Sequence, residues 1–289
     1  MRFGSAVAVS LFLISGCVPT TPREDFARVS FDAVGGLSGL TVSDDGAGFV
    51  AISDRNTLIR GRFIRPDGVL RGVAIDSRDR LKDPQGRDLV GAWNDAEGLD
   101  ETTDGTLWVS FEGQHRVARF GPDLRGTRLS DLPPIGDLKP NNGFEALALD
   151  PQGRAVIIME KRKGRHDRTY VLRHDAGGWM RLADLRLEGG FLPVGADFGP
   201  DGRLYVLERL VSPIGFRSRI RQIEVMDEGE MEGRTLWTSN ASLGNLEGLS
   251  LWTDDKGRVR ATMVADDNES PALFGGFVEI ILAKSPATL

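Results

Sequence analysis

The run Glu145-Ala146-Leu147-Ala148-Leu149-Asp150-Pro151-Gln152-Gly153-Arg154-Ala155-Val156-Ile157-Ile158-Met159-Glu160 decides the fold. It reads as an apolar strand, a turn at Asp150 to Gly153, and a second apolar strand that ends on an acid. Downstream come Tyr170-Val171-Leu172-Arg173, a turn at Asp175-Ala176-Gly177-Gly178, and Trp179-Met180-Arg181-Leu182. Together these make a four-stranded meander. The same pattern opens at Ser38-Gly39-Leu40, Glu97-Gly98-Leu99, Val194-Gly195-Ala196 and Glu247-Gly248-Leu249, each followed by a Gly-containing turn and an apolar run. Those runs close on Asp54, Glu112, Glu160, Glu208 and Asp266-Asp267. A period near 50 residues with several short strands per unit is the mark of a β-propeller.

The other units fit the same scheme. Thr106 to Phe111 and Arg116 to Phe120 supply strands in the second unit, and Leu204 to Leu207, Ile220 to Val225 and Thr235 to Trp237 in the fourth. The fifth unit has three strands (Leu249 to Trp252, Val259 to Val264, Phe277 to Leu282), and its fourth is expected from the N-terminal side. There Val29, Phe31 and Ala33 alternate with polar residues. Closing the ring this way removes two open sheet edges. The expectation is an all-β propeller of five four-stranded blades, or six if Arg71 to Trp93 holds extra strands. An irregular β-sandwich accounts poorly for the regular period. No helix of three or more turns with an apolar stripe is expected.

Residues 1–16 read as an export signal: Arg2 gives a positive start, and the apolar stretch from Ala6 to Ile14 is too short to anchor in a bilayer. It ends Leu13-Ile14-Ser15-Gly16-Cys17, which resembles the lipobox of bacterial lipoproteins. That resemblance implies cleavage before Cys17 and acylation of it, and places the chain's single cysteine. The alternative is an ordinary secretory signal. Val18 after Cys17 points to the outer membrane, at its periplasmic face. Residues 17–25 form a polar tether and 26–289 one domain. The formal net charge is −6, and loss of Arg2 makes it −7. A mildly acidic chain of this kind argues against nucleic acid as a partner, and the membrane would be met through lipid alone. A monomer is expected.

In a propeller blade the first strand lines the channel and the second returns beside it. The start of one and the end of the other therefore share a face. Asp54, Glu97, Glu112, Glu145, Glu160, Glu208, Glu247, Asp266 and Asp267 are thus expected around one mouth. Oxygen-only ligands favour a hard cation, Ca²⁺ before Mg²⁺. Glutamates that staple neighbouring blades are the plain alternative, because Arg55, Lys161 and Arg209 follow three of the acids directly. Basic residues from Lys161 to Arg168, with Arg209, Arg217 and Arg219, suit an anionic ester near such a cation. Arg209, at a strand end, is the strongest of these candidates. His115, close to Glu112, is a candidate base. The three histidines lack metal-ligand spacing, and no G-x-S-x-G, Walker or dinucleotide motif occurs.

Gly36 to Leu40 with Ala51 to Arg55, Glu97 to Leu99, Phe144 to Leu147, Leu207 to Arg209, Asn245 to Leu249 and Val264 to Asn268 together resemble the phytase-like domain labelled "esterase-like activity of phytase". The likeness runs from about Val29 to Leu282. It implies a propeller and hydrolysis of phosphate or carboxylic esters with calcium. Val194 and Ser38 stand where other units carry Glu, which lowers the number of ligands for a multi-calcium centre. One reading is a metal-dependent hydrolase in which Glu145, Glu208, Arg209 and His115 carry catalysis. The other is a non-catalytic ligand-binding or docking propeller at the cell envelope, a use the fold also supports.

Overall fold

The computed structural model describes residues 26–128, 143–160, 167–239, 241, 243–268, 270 and 272–284. It is a propeller of five blades. In chain order, β1 (Phe26–Ser30) precedes the first blade, which is β2 (Leu37–Val42), β3 (Gly48–Ser53), β4 (Thr57–Ile64) and β5 (Gly72–Arg80). The second is β6 (Ala96–Glu101), β7 (Leu107–Phe111), β8 (Arg116–Phe120) and β9 (Gly126–Arg128). The third is β10 (Ala146–Leu149), β11 (Ala155–Ile158), β12 (Arg168–Asp175) and β13 (Gly178–Arg186). The fourth starts with β14 (Leu192–Phe198), β15 (Leu204–Ser212) and β16 (Gly215–Ile223). Next β17 (Glu230–Met231) crosses to pair in parallel with β13 of the third blade, and β18 (Gly233–Thr238) completes the fourth. β19 (Asn245–Thr253), β20 (Arg258–Asp266) and β21 (Gly276–Lys284) form the fifth blade with β1 at its outer edge.

The N-terminal closure is therefore present, with its strand at Phe26–Ser30 rather than Val29 to Ala33. Ser30 pairs with Gly276 and Phe26 with Ile280. The alternation continues past Ser30, but Phe31 leaves the ladder to enter a core of rings with Phe49, Phe63 and Phe277, whose neighbouring centroids lie 4.7–5.6 Å apart. The ring closes on this aromatic cluster, reinforced by Arg65 of the first blade on Glu279 of the fifth at 2.6 Å. No sixth blade forms from Arg71 to Trp93. That stretch holds β5 and a connection anchored by isolated backbone β-bridges of Lys82 with Asp88 and with Arg125.

Five apolar layers fill the five gaps between blades. In β3, Phe49 and Ala51 face the fifth blade while Val50 and Ile52 face the second. In β11 and just after it, Val156 and Ile158 face the fourth blade while Ala155, Ile157 and Met159 face the second. Strands covered on both faces need apolar residues at every position, which is why these runs do not alternate with polar ones. The repeated turn glycines Gly46, Gly105, Gly153, Gly202 and Gly257 all have positive φ, a conformation costly for other residues. An Asp at each of these turns accepts backbone N–H groups, as Asp150 does from Gln152 and Arg154 and Asp45 does from Ala47. These turns stand at the opposite end of the inner strands from the acids that close each unit.

Candidate functional site

Four of the five inner strands slip register by a bulge at their start, between Leu37 and Gly39, Ala96 and Leu99, Pro193 and Gly195, and Leu246 and Leu249. A bulge re-aims the side chain it carries. The glycine there lets neighbouring inner strands touch. A Cβ on Gly98 would lie 2.6 Å from that of Leu147, and one on Gly195 would lie 2.3 Å from the Glu247 carbonyl oxygen. The residue before that glycine is Glu97 or Glu247, and in the third blade Glu145 precedes Ala146. Ser38 instead donates to the Ala96 carbonyl at 2.7 Å, and Val194 joins the layer between the fourth and fifth blades.

Glu97, Glu145 and Glu247 converge across the channel mouth. Burial, then Glu145, Glu247, Glu112 and Asp95, raise the Glu97 carboxyl well above its ordinary value. Burial, then Glu112, Glu160 and Glu247, do the same to Glu145. Glu247 is pushed up to about 7 by burial, against the pull of Arg209. Burial raises Asp54 to about 6, helped by Asp266 and Asp95. Glu112, Asp95 and Asp266 are raised too, each chiefly by burial.

The tightest group is Asp95, Glu97 and Glu112, whose ligand oxygens all lie within 4.8 Å of one another. Asp95 was not among the sequence candidates. It stands two residues before Glu97, and residues two apart on a strand share a face. Asn245, two residues before Glu247, was missed for the same reason. Glu112 accepts the Gly143 N–H at 3.0 Å, which ties the second blade to the third. Among the described residues no hydrogen-bond donor reaches the Glu97 carboxylate, and one Asp54 carboxylate oxygen is buried without a partner.

Across the mouth, Arg209 donates to Glu247 at 2.6 Å and Asn245 at 2.7 Å. Burial opposes its charge, but Glu247, Glu145 and Glu160 outweigh it and raise its pKa. Glu160 is buried and its N–H donates to the Gly143 carbonyl. Asp266 accepts the Asn268 N–H at 2.8 Å, while the Asp267 carboxylate packs on Gly35 and Gly275. His115, with φ of 31°, packs edge-on against Phe144 and beside Gly143.

Glu208 does not join this group. It is fully buried in the layer between the third and fourth blades, where it pairs with Arg219 and Arg221. Those guanidinium groups also donate to the carbonyls of Glu188 at 3.1 Å and Arg186 at 2.8 Å. Adjacent strand residues point to opposite faces, so Glu208 and Arg209 part company. Arg219 is withdrawn from the mouth by the same pairing, and Arg217 is exposed. Cys17 and Lys161 to His166 lie outside the described residues, and Arg168 pairs with Asp167 and Glu230. Lower in the channel, burial lifts Asp100 to about 6, and burial and then Asp100 raise Asp197 well above its ordinary value.

A model of the phytase-like family, described as esterase-like activity of phytase, matches residues 32–269. No curated protein matches the chain in sequence. Among solved structures, the calcium-binding protein regucalcin from Agrobacterium tumefaciens is similar in fold, with a TM-score of 0.51 at 11% identity over 90% of this chain and 96% of that one. Virginiamycin B lyase from Staphylococcus aureus gives a TM-score of 0.44 at 12% identity over 89% of this chain and 98% of that one.

Proposed function

We propose that this chain, which belongs to the phytase-like family, hydrolyses an anionic phosphate or carboxylic ester at the acidic mouth of its propeller. The observation that carries the reading is the set Asp95, Glu97 and Glu112, with oxygens within 4.8 Å of one another. The absence of a donor on Glu97 and the unpartnered Asp54 oxygen fit a missing positive partner. An all-oxygen set of this kind suits a hard divalent cation, Ca²⁺ before Mg²⁺. When bound, such a cation polarises the ester oxygen and makes a nearby water more acidic.

The chain's own groups supply the rest. The raised pKa of Glu145 suits it to take a proton from water and return it to the leaving-group oxygen. Among the described residues Arg209 is engaged through Nη1 alone, which leaves the remainder of its fork for the anion. Chelator-treated protein should hydrolyse neither p-nitrophenyl phosphate nor p-nitrophenyl acetate until Ca²⁺ is restored. Glu145→Gln should then lower kcat by about 100-fold with little change in KM. No turnover of either ester at any Ca²⁺ concentration would sink the hydrolase.

The pairing of Arg209 with Glu247 favours the second reading, because it already neutralises the cation best placed to hold an anion. A non-catalytic ligand-binding propeller would give a Ca²⁺-dependent rise in Tm without turnover.

The envelope location rests on the lipobox. β1 runs towards the mouth, since Ser30 pairs with Gly276 beside Ala265. Phe26, at the other end of β1, therefore stands away from the mouth. Cys17→Ala should abolish lipid labelling and release the protein from membranes; unchanged fractionation removes this reading.

A further inference from the structure

The connection between the first and second blades builds a second concavity, which the mouth chemistry does not use. Residues from Lys82 to Val90, with Trp93, stand beside β8 and β9 and form with them a half-open cleft of about 590 Å³. That volume is in the range of small-molecule sites. Its floor is Phe120 and Ala118, its inner wall Leu89, and its rim Val90 and Trp93. Those two rim residues are 69% and 46% exposed, although a short polar connection needs neither.

Trp93 is held rather than loose. The Arg116 guanidinium lies between the rings of Phe111 and Trp93, 3.7 and 4.9 Å from their centroids, and donates to the Trp93 carbonyl at 2.5 Å. The indole is thereby fixed as a platform, at little entropic cost to a ligand that packs on it.

The charges around the cavity are Lys82, Arg87 and Arg116 against Asp83 and Asp88. Arg87 is closed on Asp83 at 2.6 Å, and Arg116 is stacked. Lys82 pairs with no carboxylate among the described residues, on a chain of net charge −6. Asp88 likewise forms no ion pair among the described residues, and three bases against two acids leave the lining one positive charge in excess. An apolar cavity of that charge, with an ammonium at its edge, is complementary to an apolar body carrying one negative charge.

We propose that this cleft binds an amphipathic organic monoanion, with a carboxylate on Lys82 and an acyl or aryl body on Trp93, Leu89 and Phe120. The proposal does not rest on the mouth being catalytic. Isothermal calorimetry on the full chain in chelator reads the cleft by itself, with sodium decanoate and sodium 2-naphthoate separating the acyl from the aryl body. Saturable 1:1 binding of either is expected, with 2-naphthamide, which lacks the charge, at least about tenfold weaker. Lys82→Gln should weaken the carboxylate by about tenfold, the loss of one charge-assisted contact, and leave 2-naphthamide unchanged. Val90→Asp, at an exposed rim position, should weaken both carboxylates without touching the core. Absence of saturable binding by both carboxylates overturns the proposal, as does Lys82→Gln binding them as tightly as the parent chain.

Discussion

Two acid sites in this molecule, one buried and one half-buried, occupy the same place in the repeat and do opposite things. Glu208 and Glu112 both close the second strand of their blades. Around Glu208 two guanidinium groups meet one carboxylate, and both also bond to carbonyls of the third blade. Around Glu112 the neighbours are Asp95, Glu97, Glu145 and Glu160, and among the described residues positive charge comes from the edge, from Arg209 and Arg116. The first is a closed electrostatic unit that holds two blades together. The second is an open one among the described residues, and burial raises the carboxyls of Asp95, Glu97, Glu112 and Glu145 above their ordinary values.

The largest expected effect breaks the closed unit. Glu208→Gln leaves two buried guanidinium groups short of their counter-charge, a change that costs about 3–5 kcal/mol when a buried pair is broken. Denaturant unfolding should show that loss in chelator and in Ca²⁺ alike. Glu97→Gln should do the reverse: stability in chelator within about 1 kcal/mol of the parent, because the replaced carboxyl carries a raised pKa. If Glu97→Gln destabilises chelated protein as Glu208→Gln does, the mouth is a staple as well.

Next in size is the cation itself. A ligand that binds only the folded state stabilises it by about 2.7 kcal/mol at a hundredfold excess over Kd. Ca²⁺ should raise the Tm of chelated protein on that scale, and Mg²⁺ less, because it demands tighter octahedral geometry. Glu97→Gln should lose most of the shift, and Glu208→Gln should retain it despite its lower starting Tm. A flat Ca²⁺ titration of the parent chain overturns the open site.

The contrast between the two units shows how far the sequence could be read. The five-fold period, the N-terminal closure and the convergence of Glu97, Glu112, Glu145, Glu160 and Glu247 follow from strand grammar, because propeller geometry fixes which strand ends meet. Glu208 could not be told from its counterparts by position. Its partners Arg219 and Arg221 sit on the next strand, and only cross-strand register shows that they face it. Asp95 carried a legible signal in its spacing from Glu97. Asp100 and Asp197 did not, because the bulge shifts the alternation by one and hides that they face the channel.

The raised carboxyls of the mouth also set how stability follows pH. A carboxyl whose pKa is higher folded than unfolded keeps its proton longer in the native state. Its contribution is complete below the unfolded value and is lost as pH rises to the folded one. Glu247 moves from 4.5 to about 7 and Asp54 from 3.8 to about 6. Chelated protein should therefore lose Tm steadily as the pH is raised from about 4 to about 7. Ca²⁺ should flatten that fall, since it favours the ionised forms. A Tm that climbs over this window in chelator would mean that the mouth carboxylates are already satisfied by the protein.

The smallest expected effect concerns the pair lower in the channel. Asp197 Oδ2 accepts the Leu251 N–H at 2.6 Å and faces Ser250 Oγ at 3.3 Å, so its neighbours on the fifth blade satisfy that oxygen. Its carboxyl is raised well above the ordinary range, first by burial and then by Asp100. A carboxyl that burial disposes to keep its proton is closely mimicked by an amide, which keeps the shape and an oxygen for the Leu251 N–H. Asp197→Asn should thus change stability at pH 7 by less than about 0.5 kcal/mol. It should also leave the Ca²⁺ shift intact, in contrast to Glu97→Gln. If Asp197→Asn removes the shift, the cation sits midway along the channel between Asp100 and Asp197, and the open unit at the mouth has lost its claim to it.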